Sequence, residues 1–235
     1  VEDPRTTNDV NVTGTLNLLM SARESGVERL IFSSSSSVYG NTAVLPKREE
    51  MIPCPLSPYA LSKLAGEHYC RIFHRLHGLE TFALRYFNVF GPRQNPKSQY
   101  AAVIPLFIRA LLNGQPCTMH GDGTQTRDFT FVDDVVEANL RCCTAPAASA
   151  GDVYNVAWGN RTSLLELASL IGRELGVNLP PVHVSPRAGD VRVALQHAVQ
   201  QINQRVDLRG RKWVAPVAVV DQLYCDGSAA VLQHV

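Results

Sequence analysis

Apolar and polar positions along the chain follow two periods, and the switches between them mark out helices and strands. Residues 1–9 are polar and lead into a helical pattern from Val10 to about Ser25, with Leu16, Leu19 and Met20 on its buried face and Gly26 as its stop. Val27 to Phe32 is a short apolar run of the kind that makes a buried strand, and it runs straight into five serines, Ser33 to Ser37. Ser33 to Gly40 is expected to be the loop at that strand's carboxyl end. Residues 41–58, with Pro46, Pro53, Pro55 and Pro58, read as a longer connection. A helix from Tyr59 to about His77 follows, closed by Gly78, and then a strand from Leu79 to Val89. Tyr100 to Leu112 reads as a helix ended by Asn113-Gly114, and Thr118 to His120 as a short strand before the turn Gly121-Asp122-Gly123. Arg127 to Val132 is expected to be a strand, Val135 to Cys143 a helix and Asp152 to Ala157 a strand. Ser163 caps a last helix running to about Leu175. No element is expected beyond Asp190, where residues 196–211 are polar and Trp213 to Val220 is a short apolar run. Strand and helix in alternation imply an α/β fold with a doubly wound parallel sheet, whose ligands lie outside the carboxyl ends of its strands.

Composition narrows the class without changing that picture. The 235 residues are 45% hydrophobic and 18% charged, with a formal net charge of +1, which suits a globular protein with a sizeable core. A charge so near zero points to neither nucleic acid nor an anionic membrane surface. No apolar run approaches the ~20 residues of a membrane span, and the first residues carry no signal-peptide pattern. The six cysteines, Cys54, Cys70, Cys117, Cys142, Cys143 and Cys225, show no paired metal spacing. Scattered thiols suit packing roles in a reducing compartment, so a cytoplasmic protein is expected.

The candidate chemistry centres on Ser57-Pro58-Tyr59-Ala60-Leu61-Ser62-Lys63. Ser57 can cap a helix and Pro58 fits its first turn. Tyr59 and Lys63 then lie four residues apart on one face. An ammonium fixed beside a phenol favours the phenolate, which gives a base able to work near neutrality. The same spacing also occurs on ordinary helices with a packed Tyr and a solvated Lys. The serines at the preceding strand's carboxyl end weigh against that alternative, because a hydroxyl there can hydrogen-bond a substrate oxygen alongside the phenol.

With these segments the chain resembles the extended short-chain dehydrogenase/reductase superfamily, in its nucleotide-sugar 4-epimerase branch. The resemblance is carried by Asn11-Val12-Thr13-Gly14-Thr15, by Ser33 to Gly40 and by Ser57 to Lys63. It continues through Leu84 to Gly91, Gly121 to Asp128 and Arg187-Ala188-Gly189-Asp190, in the family's order. It implies a Rossmann-type fold, NAD as cofactor and a UDP-sugar as substrate, with a homodimer in a full-length form. It further implies that Tyr59 is the catalytic base, Lys63 its partner and a ribose ligand, and Ser35 the hydroxyl that positions the sugar oxygen. Asn11, Ser33, Ser34, Tyr86 and Phe87 would lie along the cofactor, and Ser36 and Asn88 against the sugar nucleotide. Arg127 and Arg187 would bind the diphosphate, which suits a planar donor fork, and Asp190 the uridine ribose. Without the resemblance, Arg127 reads rather as a surface charge partnered by a neighbour such as Asp128. His120 fits a ring packed on uracil or a plain edge-strand histidine.

The related dehydratases carry an Asp-Glu pair where Ser36 and Ser37 stand here, so elimination is disfavoured and epimerisation favoured. The resemblance further implies that Ala194 and Ala102, the latter beside Val103, would lie near the sugar's 2-substituent; both are small and leave room for an acetamido group, or serve only packing. UDP-N-acetylglucosamine, alongside UDP-glucose, is the expected substrate. A UDP-glucuronate decarboxylase, another NAD-dependent sugar oxidoreductase and a non-catalytic remnant are the alternatives. The family's opening strand and Gly-rich phosphate turn find no counterpart, so Val1 is expected to fall inside the cofactor domain and the chain alone to be inactive. The expected organisation is 1–93 as part of the NAD-binding domain, 94–195 as a substrate-binding region with strands returning to the sheet, and 196–235 as a divergent tail.

Overall fold

A computed structural model describes residues 3–95 and 102–185; Arg187, Asp190, Ala194 and the expected tail lie outside the described residues. Asp3 opens the chain by accepting the Thr6 amide, which caps helix α1 (Pro4–Asn8). The helix continues through a π-helical turn at Asp9–Thr13 into α2 (Gly14–Glu24), so it begins one to two turns before the pattern predicts. Leu19 and Ala22 form its buried face, whereas Met20, expected inside, is 42% exposed.

Strand β1 (Arg29–Ser35) includes the first three serines, which the sequence places in a loop. Ser34 makes this possible, because its hydroxyl is satisfied in the interior by Glu67. Ser36–Tyr39 then form a 3-10 turn, and residues 41–57 a connection without helix or strand beyond a single bridge at Lys47. Helix α3 (Pro58–His77) has the predicted start and stop: the Ser57 hydroxyl accepts the Ala60 amide, and Gly78 adopts the left-handed conformation. The expected strand at Leu79–Val89 divides into β2 (Glu80–Tyr86) and β3 (Val89–Phe90).

Helix α4 (Val103–Leu112) is followed by β4 (Thr118–His120) and β5 (Thr126–Arg127). The expected strand at Arg127–Val132 is broken, since Asp128 and Phe129 interrupt the pairing before β6 (Thr130–Phe131) and α5 starts at Val132, running to Thr144. Next come β7 (Val153–Val156), β8 (Thr162–Ser163) and α6 (Leu164–Glu174), the last capped by a reciprocal Ser163–Glu166 box. Strand β9 (Val182–Val184), which the pattern does not predict, pairs parallel with β4.

The sheet that organises the site has the order β1-β2-β7 with both pairings parallel. Phe32, Ala83 and Val153 meet α2 and α3 on one face through Leu19, Cys70 and Phe73. Phe82, Leu84 and Tyr154 meet α5 on the other through Val135, Ala138 and Cys142. Covering both faces accounts for the apolar runs in these strands. A separate core joins α4 to α6 through Phe107, Ile108, Leu111, Leu167 and Ile171. Among the described residues no helix is long and apolar enough to cross a membrane.

Candidate active site

Parallel β1 and β2 bring Ser35 and Tyr86 side by side at their carboxyl ends, and α3 enters beside them. The approach is close because Gly66 has no side chain: a Cβ there would lie 2.3 Å from the Phe32 ring. In the first turns of α3, Lys63 Nζ donates to the Ser33 carbonyl at 3.0 Å and stands 5.8 Å from the centroid of the Tyr59 ring. The Phe32 ring lies on its other side, at 5.4 Å. Burial pushes the Lys63 ammonium below the ordinary lysine range. Tyr59 itself is 45% exposed, leaving its phenol open to a ligand.

Asn11, in the π-helical turn, donates to Ser62 Oγ at 3.0 Å, and that hydroxyl donates to the Tyr59 carbonyl. Asn11 therefore braces the turn that carries Tyr59. Ser35 Oγ accepts the Ser37 amide and so caps the 3-10 turn after β1. On the α5 side of the sheet the Tyr86 hydroxyl lies 3.3 Å from Ser33 Oγ and 2.8 Å from Asn139 Nδ2.

Two of the expected cofactor-binding residues have buried side chains. The Ser34 side chain is buried and donates to Glu67, and Phe87 is 1% exposed in a cluster with Val38, Tyr39 and Ala157. Neither side chain offers a surface to a cofactor, because each completes the packing beneath the site.

The other expected residues divide between two places. Val103, His120 and Arg127 share a cleft of about 640 Å³ with Gln125 and Leu164, between α4 and the β4–β5 turn. Gln125 donates to the His120 carbonyl and so fixes the turn between them. Ala102 stands at the N-cap of α4, next to this cleft. Asn88 is exposed at the end of β2 and donates to the Asp128 carbonyl at 3.0 Å. The alternative pairing of Arg127 with Asp128 is not formed by that carboxylate. Asp128 is wholly buried and accepts the Trp158 and Gly159 amides, one on each oxygen at 3.0 Å. Its carboxyl is pushed up to about 6 by burial, which the two amides only partly offset.

Sequence reading missed the polar residues under the site: Tyr39, Glu67, Arg85, Asn139 and Asn155. One signal was available, since Arg85 interrupts the apolar run from Phe82 to Phe87 and Glu67 follows Lys63 by four residues on one helical face.

A two-faced parallel sheet with a Tyr–Lys helix over its strand ends defines the Rossmann-type α/β class of proteins that bind at that edge. The chain belongs to the NAD dependent epimerase/dehydratase family, whose model matches residues 1–157. A putative UDP-glucose 4-epimerase of Methanocaldococcus jannaschii is 41% identical over 192 residues, covering 81% of this chain and 61% of that protein. The UDP-N-acetylglucosamine 4-epimerase of Methanobrevibacter ruminantium M1, solved with UDP-N-acetylmuramic acid, superposes with a TM-score of 0.84 at 36% identity, covering 90% of this chain and 66% of the other. The UDP-glucuronic acid 4-epimerase of Bacillus cereus, solved with UDP-glucuronic acid and NAD, gives 0.82 at 28% identity, covering 92% and 66%. The chain thus spans about three fifths of the length of the curated relatives it matches.

Proposed function

We propose that this chain carries the proton-transfer and substrate-binding part of an NAD-dependent UDP-hexose 4-epimerase, acting on UDP-N-acetylglucosamine or UDP-glucose through a transient 4-keto sugar. The observation that supports it most is the Lys63 ammonium held on the Ser33 carbonyl at 3.0 Å, with Tyr59 one turn earlier on the same helix and open to solvent. Lys63, Ser33 and Tyr86 offer donors and acceptors of the kind a ribose and a carboxamide need, so the residues present fit the nicotinamide end of the cofactor. When bound, NAD supplies the hydride acceptor and donor for C4. The chain's own residues do the rest. Tyr59 accepts the proton of the 4-hydroxyl and returns it, Lys63 sets a positive charge beside it, and Ser35 orients the sugar oxygen. Arg127 neutralises the diphosphate, and His120 with Val103 flanks the base in the cleft. The protein's further task is to retain the ketone while it presents its other face. Ser36 and Ser37 carry no carboxyl, which favours epimerisation over elimination of water.

The proposal includes two features of the whole protein. Cys54, Cys70, Cys117, Cys142 and Cys143 are free thiols, as suits a cytoplasmic location. Leu61, Ile72 and Leu76 leave a stripe of 58%, 46% and 72% exposed side chains along α3, and α2 beside it adds Leu18, a surface that suits a homodimer.

Tyr59→Phe, made in a full-length parent, tests the assignment. Incubation with NAD and each UDP-sugar, followed by separation of the C4 epimers, is expected to show turnover lowered by about 10² to 10⁴. Undiminished turnover would remove Tyr59 from its role. The likeness to the B. cereus enzyme supports a second reading, with UDP-glucuronate as the substrate epimerised. Comparing rates on the three sugars decides between them, and release of carbon dioxide from UDP-glucuronate would sink both in favour of a decarboxylase.

A further inference from the structure

Parallel pairing puts Ser34, Arg85 and Asn155 directly opposite one another on β1, β2 and β7. They share the face covered by α3, where the next layer toward the strands' amino ends is apolar, with Phe32, Ala83 and Val153. A polar row therefore crosses the sheet one layer below the open site, and all three residues are at most 3% exposed. Glu67 closes the row from α3: its carboxylate takes Arg85 Nε at 2.8 Å and Nη2 at 2.7 Å, and the Ser34 hydroxyl at 2.5 Å. Tyr39, from the turn after Ser35, covers it from above. The Arg85 guanidinium stands 4.7 Å from the centroid of its ring, and its hydroxyl donates to Asn155 Oδ1 at 2.7 Å. The Asn155 main-chain N–H in turn donates to Glu49 in the connection that leads to α3.

Burial works against the charge on Arg85, and the Glu67 carboxylate more than offsets it, so the guanidinium is held charged. Burial pushes the Tyr39 phenol up to about 12, so it stays a neutral donor across the physiological range. A buried ion pair of this kind adds little stability over apolar residues of equal volume, because desolvating both charges consumes most of the attraction. It does impose one register. A slide of α3 along β1 would separate Glu67 from Arg85 and Ser34, and would carry Lys63 away from the Ser33 carbonyl.

We propose that Glu67 and Arg85, with Ser34 and Tyr39, are positioning residues that hold the Tyr59–Lys63 helix and the Ser35 turn in register at the sheet's carboxyl edge. The proposal rests on the reading of Tyr59 and Lys63 as the proton-transfer pair and adds the residues that place it.

The test replaces the pair together, as Glu67→Leu with Arg85→Met, so that no charge is left buried alone. Folding is followed by thermal melting, and the titration of Lys63 by competitive acetylation across pH with mass spectrometry. In the parent chain the Lys63 midpoint is expected below that of the exposed lysines. In the double variant, with a melting temperature at or above the parent's, the midpoint should rise toward the ordinary range. In a full-length parent the same double variant should lose about tenfold or more in turnover at an unchanged KM. A folded double variant whose Lys63 midpoint and turnover do not move would overturn the proposal and leave the pair a core filler. If the double variant does not fold, Ser34→Ala and Tyr39→Phe take its place, since each deletes one hydroxyl and keeps the ion pair. A smaller rise of the midpoint is expected in both, and no rise in either overturns the proposal. Epimer formation by Tyr59→Phe reads the function and the Lys63 midpoint reads the register, so each can fail alone.

Discussion

Asp128 carries its carboxyl where water does not reach, and its two oxygens accept from two main-chain amides. Its carbonyl receives the Asn88 amide, and the Asn88 carbonyl accepts the Thr130 amide, so one residue ties the end of β2 to the loop after β7. Because burial raises its pKa to about 6, above the unfolded value, the folded state binds this proton more tightly than the unfolded chain. The resulting stability is fully present below about pH 4 and is lost as pH rises through about 6. Asp128→Asn deletes this dependence. The unfolding free energy of the parent relative to the variant should therefore rise by about 1 kcal/mol on going from pH 7 to pH 5, as read by denaturant unfolding. A difference that is constant with pH would mean that the carboxyl titrates normally. The buried ionisation was not legible in the sequence, where Asp128 reads as a neighbour for Arg127. Its two partners come from residues thirty positions on, through a chain reversal that no local pattern announces.

At the scale of elements, α3 is the best determined by its own sequence and the most exacting in its placement. Ser57, Pro58 and Gly78 state its limits because capping and the left-handed stop involve only neighbouring residues. Its distance from β1 depends on Gly66, whose missing side chain the Phe32 ring fills. Gly66→Ala improves helix propensity by up to about 1 kcal/mol, yet the steric conflict should reverse that gain. A net loss of about 1 to 3 kcal/mol in denaturant unfolding is expected. A more stable variant would show that α3 can lift from β1 at little cost. Elsewhere the local signals were weaker. β1 gains Ser33 to Ser35 because Glu67 accepts a hydroxyl inside the protein, a tertiary fact. β9 escapes notice because its three residues are all exposed and owe their pairing to β4. Two-residue β5 and β6 read as one strand until Asp128 turns inward between them.

For the whole molecule, the alternation of strand and helix was enough to give the two-faced parallel sheet, since that architecture follows from the order of elements. What it could not give is which distant segments share a cleft. Val103, His120 and Arg127 were named separately through the family's motifs, and the fold gathers them beside α4. The outer surface of α3 bears on assembly. Leu61→Glu with Ile72→Glu places charges in the exposed apolar stripe while leaving the buried face alone. Sedimentation of a full-length form should show the parent as a dimer and the variant as a monomer with an unchanged far-UV spectrum. A parent that sediments as a monomer at high concentration would argue against pairing through this stripe.

The polar row under α3 bears on how such a site can be inherited or engineered. Tyr59 and Lys63 look portable, being two side chains one turn apart on a single helix. Their placement draws on a carboxylate from that helix, a guanidinium and a hydroxyl from two strands, and a phenol from the turn between. Grafting the Tyr–Lys helix onto another parallel sheet would therefore transfer the reactive groups without their alignment. The unit that carries the whole row comprises β1, its turn, α3, β2 and β7.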